Sequence, residues 1–464
     1  PAMRMLLRKL QVDNYLGLVA ASSVIRPGVA KSGMMQTYIQ RYRHPEKRKE
    51  AHPVLLELMP ETYGVMVYQE DVIKVAHYFA GLTLGEADKM RRGMSGKYRS
   101  REEFQQVKSK FFANCAEKGH SYELTAEVWR QTESFAGYAF AKGHSASYAV
   151  ESYQSLFLKA YYPLEYMVAT INNYGGFYRT ELYVYEARKY GAEIHPPCVN
   201  KSLQNTWIYG KDIYIGFHLL HAFGSETARK ILIERMENGP FLDFDEFIDR
   251  VPISLEQIAI LIRIDAFRFT LKNKRTLMWE AHLKISKETA KVKFTPDFFR
   301  VEKVEFIIPP LSSTWEEDAF DQMEILGFPL YSPFSISTAD ETEVILAKDL
   351  LQHQNATVWV KGYLIHSKNT TTSKQDKMFF GTFLDAEGEW LDTVHFPDIA
   401  KKYPFRGKGI YKVKGKVISD FDCVTIEAEY MEKLGVIQDP RYSNLRAGEG
   451  VFGNSGTSIA RQTH

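Results

Sequence analysis

The chain has 464 residues, 45% hydrophobic and 25% charged, with a formal net charge of +2. This is globular composition, enough for about two to four domains at roughly 100–200 residues each, and no run of ~18 apolar residues offers a membrane-spanning helix. Three cysteines, Cys115, Cys198 and Cys423, lie far apart without CxxC spacing. That excludes a disulfide framework and a cysteine-based zinc site, and a reducing cytoplasm is the expected location.

The opening, PAMRMLLRKLQVDN, has neither the apolar core nor the cleavage site of a signal peptide. It also lacks an initiator Met, as expected of a fragment. Charge is uneven along the chain. Residues 1–150 carry 22 Lys and Arg against 15 Asp and Glu, and the remainder 37 against 42. A nucleic-acid face near the N-terminal end fits that asymmetry, and so does a solvated surface.

Residues 1–190 read as mainly helical. In YQEDVIKVAHYFA, Val72, Val75, Ala76 and Phe79 form one helical stripe. Gly81 ends that helix, and Thr83 with Glu86 makes a capping-box start for the next. Ser145 is expected to cap a helix running through Ala160, with Val150, Tyr153, Phe157 and Ala160 on its apolar side. Pro163 lies just past its end.

Residues 191–285 read as a second helical unit, opened by the extended stretch EIHPPCVNKS, where two prolines prevent helix. Residues 286–350 are Pro-punctuated and read as a linker with short helices. Within residues 351–435 the pattern alternates, and five strands are expected: TVWVKGYLIHS, KMFFGTFLDA, EWLDTVHF, GIYKVKGKVIS and CVTIEAEYM. A short helix near Pro397–Tyr403 separates the third from the fourth. Five strands with one inserted helix is the OB-fold pattern, a small barrel that often binds single strands. Residues 436–464, rich in Gly, Ser and Asn, are expected to be disordered.

Several motifs carry candidate chemistry. Gly143 separates Lys142 from His144 just before Ser145, and helix N-termini attract anions because their first N–H groups lack partners. The basic loop KMRRGMSGK holds Arg91, Arg92 and Lys97, but its spacing and Tyr98 exclude a Walker A loop. Arg26 precedes a basic helix, Gln36–Arg43, that carries Arg41 and Arg43. These three are candidate DNA contacts, with a solvated face as the alternative. GFHLLHAFGSETARKILIER resembles a helix-hairpin-helix, in which backbone N–H groups near Gly224 meet a DNA phosphate. A second copy through SLEQIAILIRIDAFRF has Asp265 where Gly is expected, which makes a positive φ costly.

Paired carboxylates would be needed for two-metal chemistry. Asp243 and Asp245 sit at a helix start and Asp420 and Asp422 at a turn, so neither pair is expected to bind catalytic metal.

Residues 2–434 resemble, in order, the C-terminal part of the bacterial DNA polymerase III alpha subunit family. The resemblance rests on MRMLLRKLQVDNYLGLVAASSVIRPGVAKSGMMQTYIQRY, TYGVMVYQEDVIKVAHYFAGLTLGEADKMRRGMSGK and FAGYAFAKGHSASYAVESYQSLFLKAYYPLEYM. IHPPCVNKS also fits, except that Cys198 replaces an Asp of the family pattern. The implied fold is multidomain and mainly α, with polymerase fingers over 1–190 and tandem helix-hairpin-helix over 191–285, followed by a small all-β OB-fold barrel over 351–435.

The implied activity is DNA-directed DNA synthesis in replication, with Mg²⁺ held by a palm that lies N-terminal to the fingers in this family. The chain itself is then expected to hold no metal and to be inactive alone. Arg91, Arg92, Lys97, Lys142 and His144 are expected at nucleotide or primer-template phosphates. Lys361, Trp359, Tyr363, Phe379 and Phe380 are candidates for stacking on or gripping single-stranded template, with the barrel core as the alternative for each aromatic, because strand alternation sends about half of them inward. The family's clamp-binding peptide has its nearest counterpart in TPDFF, giving Phe298 and Phe299, although the usual Gln is missing. Expected partners are DNA, deoxynucleoside triphosphates, the sliding clamp and other replicase subunits, and no membrane. The alternative is a palm-less accessory that binds DNA and clamp.

Overall fold

A computed structural model of the chain describes residues 1–26, 29–30, 32–94, 101–134, 141–289, 313–372 and 374–442. Two compact units divide it: Pro1–Tyr161 with Ile418–Thr425, and Tyr162–Val417 with Ile426–His464.

The first unit is helical: Ala2–Leu10, Tyr15–Val24, Met34–Arg43, Pro53–Leu58, Gln69–Lys74, Leu84–Met94, Arg101–Glu117, Tyr122–Glu133 and Lys142–Tyr161. Local chemistry sets the starts. The Asn14 side chain accepts from the Gly17 N–H, and Ser121 accepts from the Leu124 N–H. Thr83 and Glu86 bond reciprocally as a capping box. Lys110 reinforces that box from the facing helix, its Nζ 2.6 Å from Glu86, and holds the Glu86 carboxyl down at about 2. The predicted stripe Val72, Val75, Ala76 and Phe79 is buried, and Phe79 meets Phe111 in the core. One feature departs from the expectation: the helix widens into a π-turn over Val75–Phe79 before Gly81, at φ 63°, ends it.

The helix Lys142–Tyr161 corrects two readings. It begins three residues before Ser145, so Ser145 is not its cap. Ser145 is instead fully buried against Ser23, hydroxyl to hydroxyl at 2.5 Å. Ala149 packs in the same core, and the Tyr15 hydroxyl donates to the Ala146 carbonyl at 2.7 Å. This seam uses the small residues of the first two turns. Val150, Tyr153, Phe157 and Ala160 consequently face away from it and are exposed.

The second unit opens with helices Pro163–Asn172 and Thr180–Lys189. Pro163 occupies the first turn of a new helix, where its missing N–H costs nothing. A three-stranded sheet follows, which corrects the purely helical reading of this region. Its strands are β1 (Glu193–His195), β2 (Trp207–Tyr209) and β3 (Asp212–Tyr214), in the order β1-β3-β2. β1 runs parallel to β3, and β2 antiparallel to it.

Helices Ser225–Asn238, Phe244–Arg250, Leu255–Arg263 and Lys274–Thr289 then enclose one core. Phe244 and Phe247 both meet the Phe267 ring edge-on, at 4.9 and 4.8 Å. Each fully buried Phe contributes on the order of 1.5–3 kcal/mol. A further helix, Trp315–Ile325, lies in the stretch read as linker.

All five expected strands form: β4 (Thr357–Thr371), β5 (Lys377–Leu384), β6 (Trp390–His395), β7 (Ile410–Asp420) and β8 (Cys423–Lys433). The helix Pro397–Lys402 sits between β6 and β7. They close as a barrel in the order β4-β5-β6-β8-β7, with β6 and β8 parallel and the β4–β5, β4–β7 and β5–β6 pairs antiparallel. Such a closed five-stranded barrel is OB-like. The fold is therefore multidomain and mainly α, followed by a small β barrel.

Two buried polar groups mark the second unit. Glu181 is 1% exposed and pairs with Arg179 at 2.7 Å and Lys408 at 3.1 Å, while the Tyr363 hydroxyl donates to it at 3.4 Å. His395 is fully buried inside the barrel with Thr393, 2.8 Å from its Nε2, and Nδ1 has no hydrogen-bond partner among the described residues. Burial lowers its pKa from 6.5 to about 4.

The unfolded chain therefore takes up a proton between those values that the folded barrel refuses. The stabilising contribution is complete above pH ~6.5 and lost as pH falls toward 4. We expect amide protection factors in β5 and β6, with the intrinsic pH dependence of exchange divided out, to fall as pH drops through that window. His395→Leu should flatten the dependence, by up to ~3 kcal/mol in exchange free energy.

Candidate nucleotide and nucleic-acid interface

In the first unit, three successive side chains at the start of the helix Gln69–Lys74 bond in three directions. Asp71 turns back and accepts the N–H groups of Val67 and Tyr68 at 3.0 and 2.9 Å. Burial raises its pKa, against those two hydrogen bonds. Gln69 accepts from Arg91 at 3.2 Å. Glu70 accepts the Lys142 N–H at 3.2 and 3.0 Å through its two oxygens. A carboxylate thus lies at the N-terminus of the helix Lys142–Tyr161, where the dipole and unfilled N–H groups favour an anion.

The sequence-predicted cations lie around this point. The Lys142 ammonium pairs with Glu61. Arg91 bonds Asp88 at 2.8 Å as well as Gln69, and Arg92 reaches Asp88 at 3.0 Å. His144 is exposed and packs edge-on to Tyr148 at 4.6 Å. The structure so brings Arg91 and Lys142 to neighbouring residues, Gln69 and Glu70. Lys97 lies outside the described residues. The sequence reading missed Glu61 and Glu70, and the signal was available in the two acidic residues that open a helix at Glu70-Asp71.

The other N-terminal arginines are engaged inside the unit. Arg41 donates to the Tyr63 carbonyl at 2.9 Å, and burial lowers its pKa. Arg43 donates to the Lys9 carbonyl at 2.8 Å and meets Asp422 at 3.3 Å. Arg48 lies over the Tyr63 ring at 3.9 Å. Arg26 is half-buried at the end of the helix Tyr15–Val24. Asp420 pairs with Lys9 at 2.5 Å.

In the second unit, Gly224 precedes the helix Ser225–Asn238 with φ −73°. Ala222 takes the left-handed conformation of the hairpin, at φ 59°. The Gln257 side chain closes the turn. Its Oε1 accepts from the Gly224 N–H at 2.7 Å, and its Nε2 donates to the Ala222 carbonyl at 2.9 Å. Asp265 adopts φ 62° at the corresponding turn of the second copy, and burial raises its carboxyl pKa.

On the barrel, Lys361 and Lys412 are partners across β4 and β7, and both reach Asp340, at 3.1 and 3.3 Å. Two residues along, Trp359 faces Lys414. The Lys412 and Lys414 ammonium groups lie 5.2 and 5.8 Å from the Trp359 ring centre, and Tyr430 meets that ring edge-on at 5.6 Å. Tyr363 is buried and Phe379 packs on Phe405, whereas Phe380 is exposed. The residues missed here, Lys412, Lys414 and Tyr430, were legible as alternate positions of IYKVKGK and IEAEYM. Phe298 and Phe299 lie outside the described residues.

Residues 1–119 match the family model for the bacterial DNA polymerase III alpha subunit finger domain, and residues 191–277 that for the helix-hairpin-helix motif. The DNA polymerase III subunit alpha of Aquifex aeolicus is 30% identical over 444 residues, 93% of this chain and 36% of that protein. That of Borreliella burgdorferi is 27% identical over 466 residues, 96% and 40% of the two chains. That of Treponema pallidum is 30% identical over 417 residues, 85% and 35%.

The chain belongs to the bacterial DNA polymerase III alpha subunit family. It spans little more than a third of the length of the curated relatives it matches. The family's finger-domain match covers Arg91 and Glu70, and its helix-hairpin-helix match covers the turn closed by Gln257. No helix among the described residues is long and apolar enough to cross a membrane.

The Glu70 carboxylate competes with any incoming anion for the Lys142 N–H. Glu70→Gln retains an acceptor oxygen and removes the charge. We expect it to raise the affinity for pyrophosphate by roughly threefold to tenfold, the ~1 kcal/mol scale of one charge at a helix terminus. Calorimetric titration of the wild-type and variant chains measures the difference.

Proposed function

We propose that this chain grips the incoming deoxynucleoside triphosphate, the primer-template and the single-stranded template for a replicative DNA-directed DNA polymerase. The observation that carries the proposal is the convergence of Arg91 and Lys142 on Gln69 and Glu70 at a helix N-terminus. A triphosphate entering there replaces the Glu70 carboxylate, accepts the Lys142 N–H, and releases Lys142 from Glu61 and Arg91 from Asp88. The cations needed are already within reach, and the internal carboxylates neutralise them until the ligand arrives. Arg92 and His144 add charge beside the same helix N-terminus, and Lys97, outside the described residues, is a further candidate phosphate contact. The matches to DNA polymerase III alpha subunits support the nucleotide reading over other phosphate ligands.

Primer-template contacts come from the helix-hairpin-helix, where the Gly224 N–H turns from Gln257 to a phosphate. Arg26, Arg41 and Arg43 would join only where DNA displaces an internal partner. On the barrel, Trp359 offers a ring flanked by Lys412 and Lys414, a surface suited to stacking a base and holding its phosphate. Lys361 adds charge beside it. A sliding clamp would dock on Phe298 and Phe299.

The family's Mg²⁺ ions do not fit the acidic pairs of this chain. Asp243 caps a helix by accepting the Glu246 N–H, and Asp245 pairs with Lys284. Asp420 and Asp422 are held by Lys9 and Arg43. No catalytic step is assigned to these carboxylates.

Gel shift with a primer-template, followed by Mg²⁺-dependent extension of the same primer, tests the proposal. Binding without extension is the expected result, and absence of DNA binding overturns it. Lys142→Ala and Arg91→Ala should each weaken triphosphate binding about tenfold, the loss of one charge-assisted contact. Trp359→Ala should cost ~1–3 kcal/mol in affinity for single-stranded DNA, read by fluorescence anisotropy.

A further inference from the structure

The exposed face of the β1-β3-β2 sheet is built as a grid. Register places Glu193, Asp212 and Tyr209 in one row, and His195, Tyr214 and Trp207 in the next. The opposite face is apolar, with Ile213 buried and Ile194 and Ile208 packed beside it. Glu193 and His195 are two apart on β1 and so share a face, and Asp212 is the direct neighbour of Glu193 on β3. The ligand atoms of Glu193, His195 and Asp212 all lie within 4.8 Å of one another.

We infer that Glu193, His195 and Asp212 form a binding site for a divalent transition-metal ion of the Zn²⁺ class. This inference is independent of the polymerase reading, and it departs from the sequence expectation that the chain holds no metal. That expectation considered only cysteine spacing and Asp pairs. It could not see two acidic groups and an imidazole assembled by a parallel pairing across 17 residues.

Two features distinguish the cluster from a chance group of surface acids. First, one donor is an imidazole nitrogen. Nitrogen with two carboxylate oxygens is a set that Zn²⁺ takes at ~2.0–2.2 Å, with a fourth position left for water or another oxygen ligand. Carboxylates alone would suit Mg²⁺ or Ca²⁺ instead.

Second, the imidazole is held in place. The His195 ring stacks on Tyr214 at 4.7 Å and 19°, and Tyr214 stacks on Trp207 at 5.3 Å and 19°. The Trp207 indole N–H donates to the Lys201 carbonyl at 2.8 Å, which anchors the far end of the column. Backbone bonds from Glu193 to Lys211 at 2.9 Å and from Ile215 to His195 at 3.1 Å lock the strands on either side of the ligands. The His195 Nε2 lies 2.6 Å from the Asp212 Oδ1. An ion would take the place of that His195–Asp212 contact and draw in Glu193, which is exposed. The three cysteines are all buried and do not compete for the ion.

The test is titration of the intact, chelator-stripped chain with Zn²⁺ by calorimetry, and with Co²⁺ by visible absorption. We expect one saturable site per chain, and a Co²⁺ spectrum with tetrahedral or five-coordinate intensity. His195→Gln, Asp212→Asn and Glu193→Gln should each weaken binding at least about tenfold. Glu193 is exposed, so Glu193→Gln keeps the fold and carries the test if the other two variants are unstable. Absence of saturable binding overturns the inference. So does unchanged affinity in Glu193→Gln, or displacement of Zn²⁺ by equimolar Mg²⁺.

Discussion

The first unit depends on the three side chains that open the helix Gln69–Lys74. A helix start leaves N–H groups unfilled, and an unfilled N–H away from water costs about 1–3 kcal/mol. Asp71 meets this need for its own helix. Glu70 meets it for the helix Lys142–Tyr161, far away in sequence. Gln69 ties in the end of the helix Leu84–Met94 through Arg91. Three helices are thus registered against one short segment. The side chains that perform this registration are also the ones beside which an anionic ligand would bind, so ligand binding and helix placement are coupled through the same few atoms.

The basic N-terminal composition translates only partly into a binding surface. Arg41, Arg43 and Arg48 are long cations whose guanidinium groups satisfy carbonyls and stack on Tyr63. A planar donor fork suits that internal work better than an ammonium would. Their contribution to the long-range field remains, but each already spends guanidinium donors on partners within the unit. On the barrel the arrangement is different. Lys412 and Lys414 flank the Trp359 ring, and one carboxylate, Asp340, serves both Lys361 and Lys412. Its pKa is held well below the usual range by hydrogen bonds from Thr342, Lys361 and Lys412, against its burial.

Much of this was legible in the sequence where the governing interaction is local. The capping box at Thr83 and Glu86 is made by residues three apart, and five strands alternate with period two, so both could be read directly. Ser145 shows the limit. Ser is a good helix cap, yet a small buried hydroxyl is also what a close helix seam requires, and the partner Ser23 is 122 residues distant. The exposed faces of Tyr153 and Phe157 follow from the same cause, because the seam is made by small residues and the large ones point away. The β1-β3-β2 sheet was missed for a different reason. WIYGKDIY is a short hairpin pattern, but each strand has only three residues, and its third strand is recruited from across two prolines.

The two candidate phosphate sites share one physical design, and the difference between them predicts their behaviour. In each, an internal acceptor occupies the N–H that a phosphate would take: Glu70 at Lys142 and Gln257 at Gly224. Leaving those groups open would cost stability, so a chain without ligand fills them. The Gln257 amide is neutral. Its displacement loses two hydrogen bonds, each worth about 1 kcal/mol net, and leaves no charge behind. Glu70 is an anion beside cations, and a ligand must outcompete it electrostatically while Glu61 and Asp88 lose their partners. If DNA docks there, a single backbone phosphate would therefore suffice to open the Gln257 turn, in a manner indifferent to sequence. On the proposed reading, the Glu70 site would yield only to a ligand with several negative charges in close succession, which is the property that separates a triphosphate from the repeating monoanionic phosphates of a DNA strand.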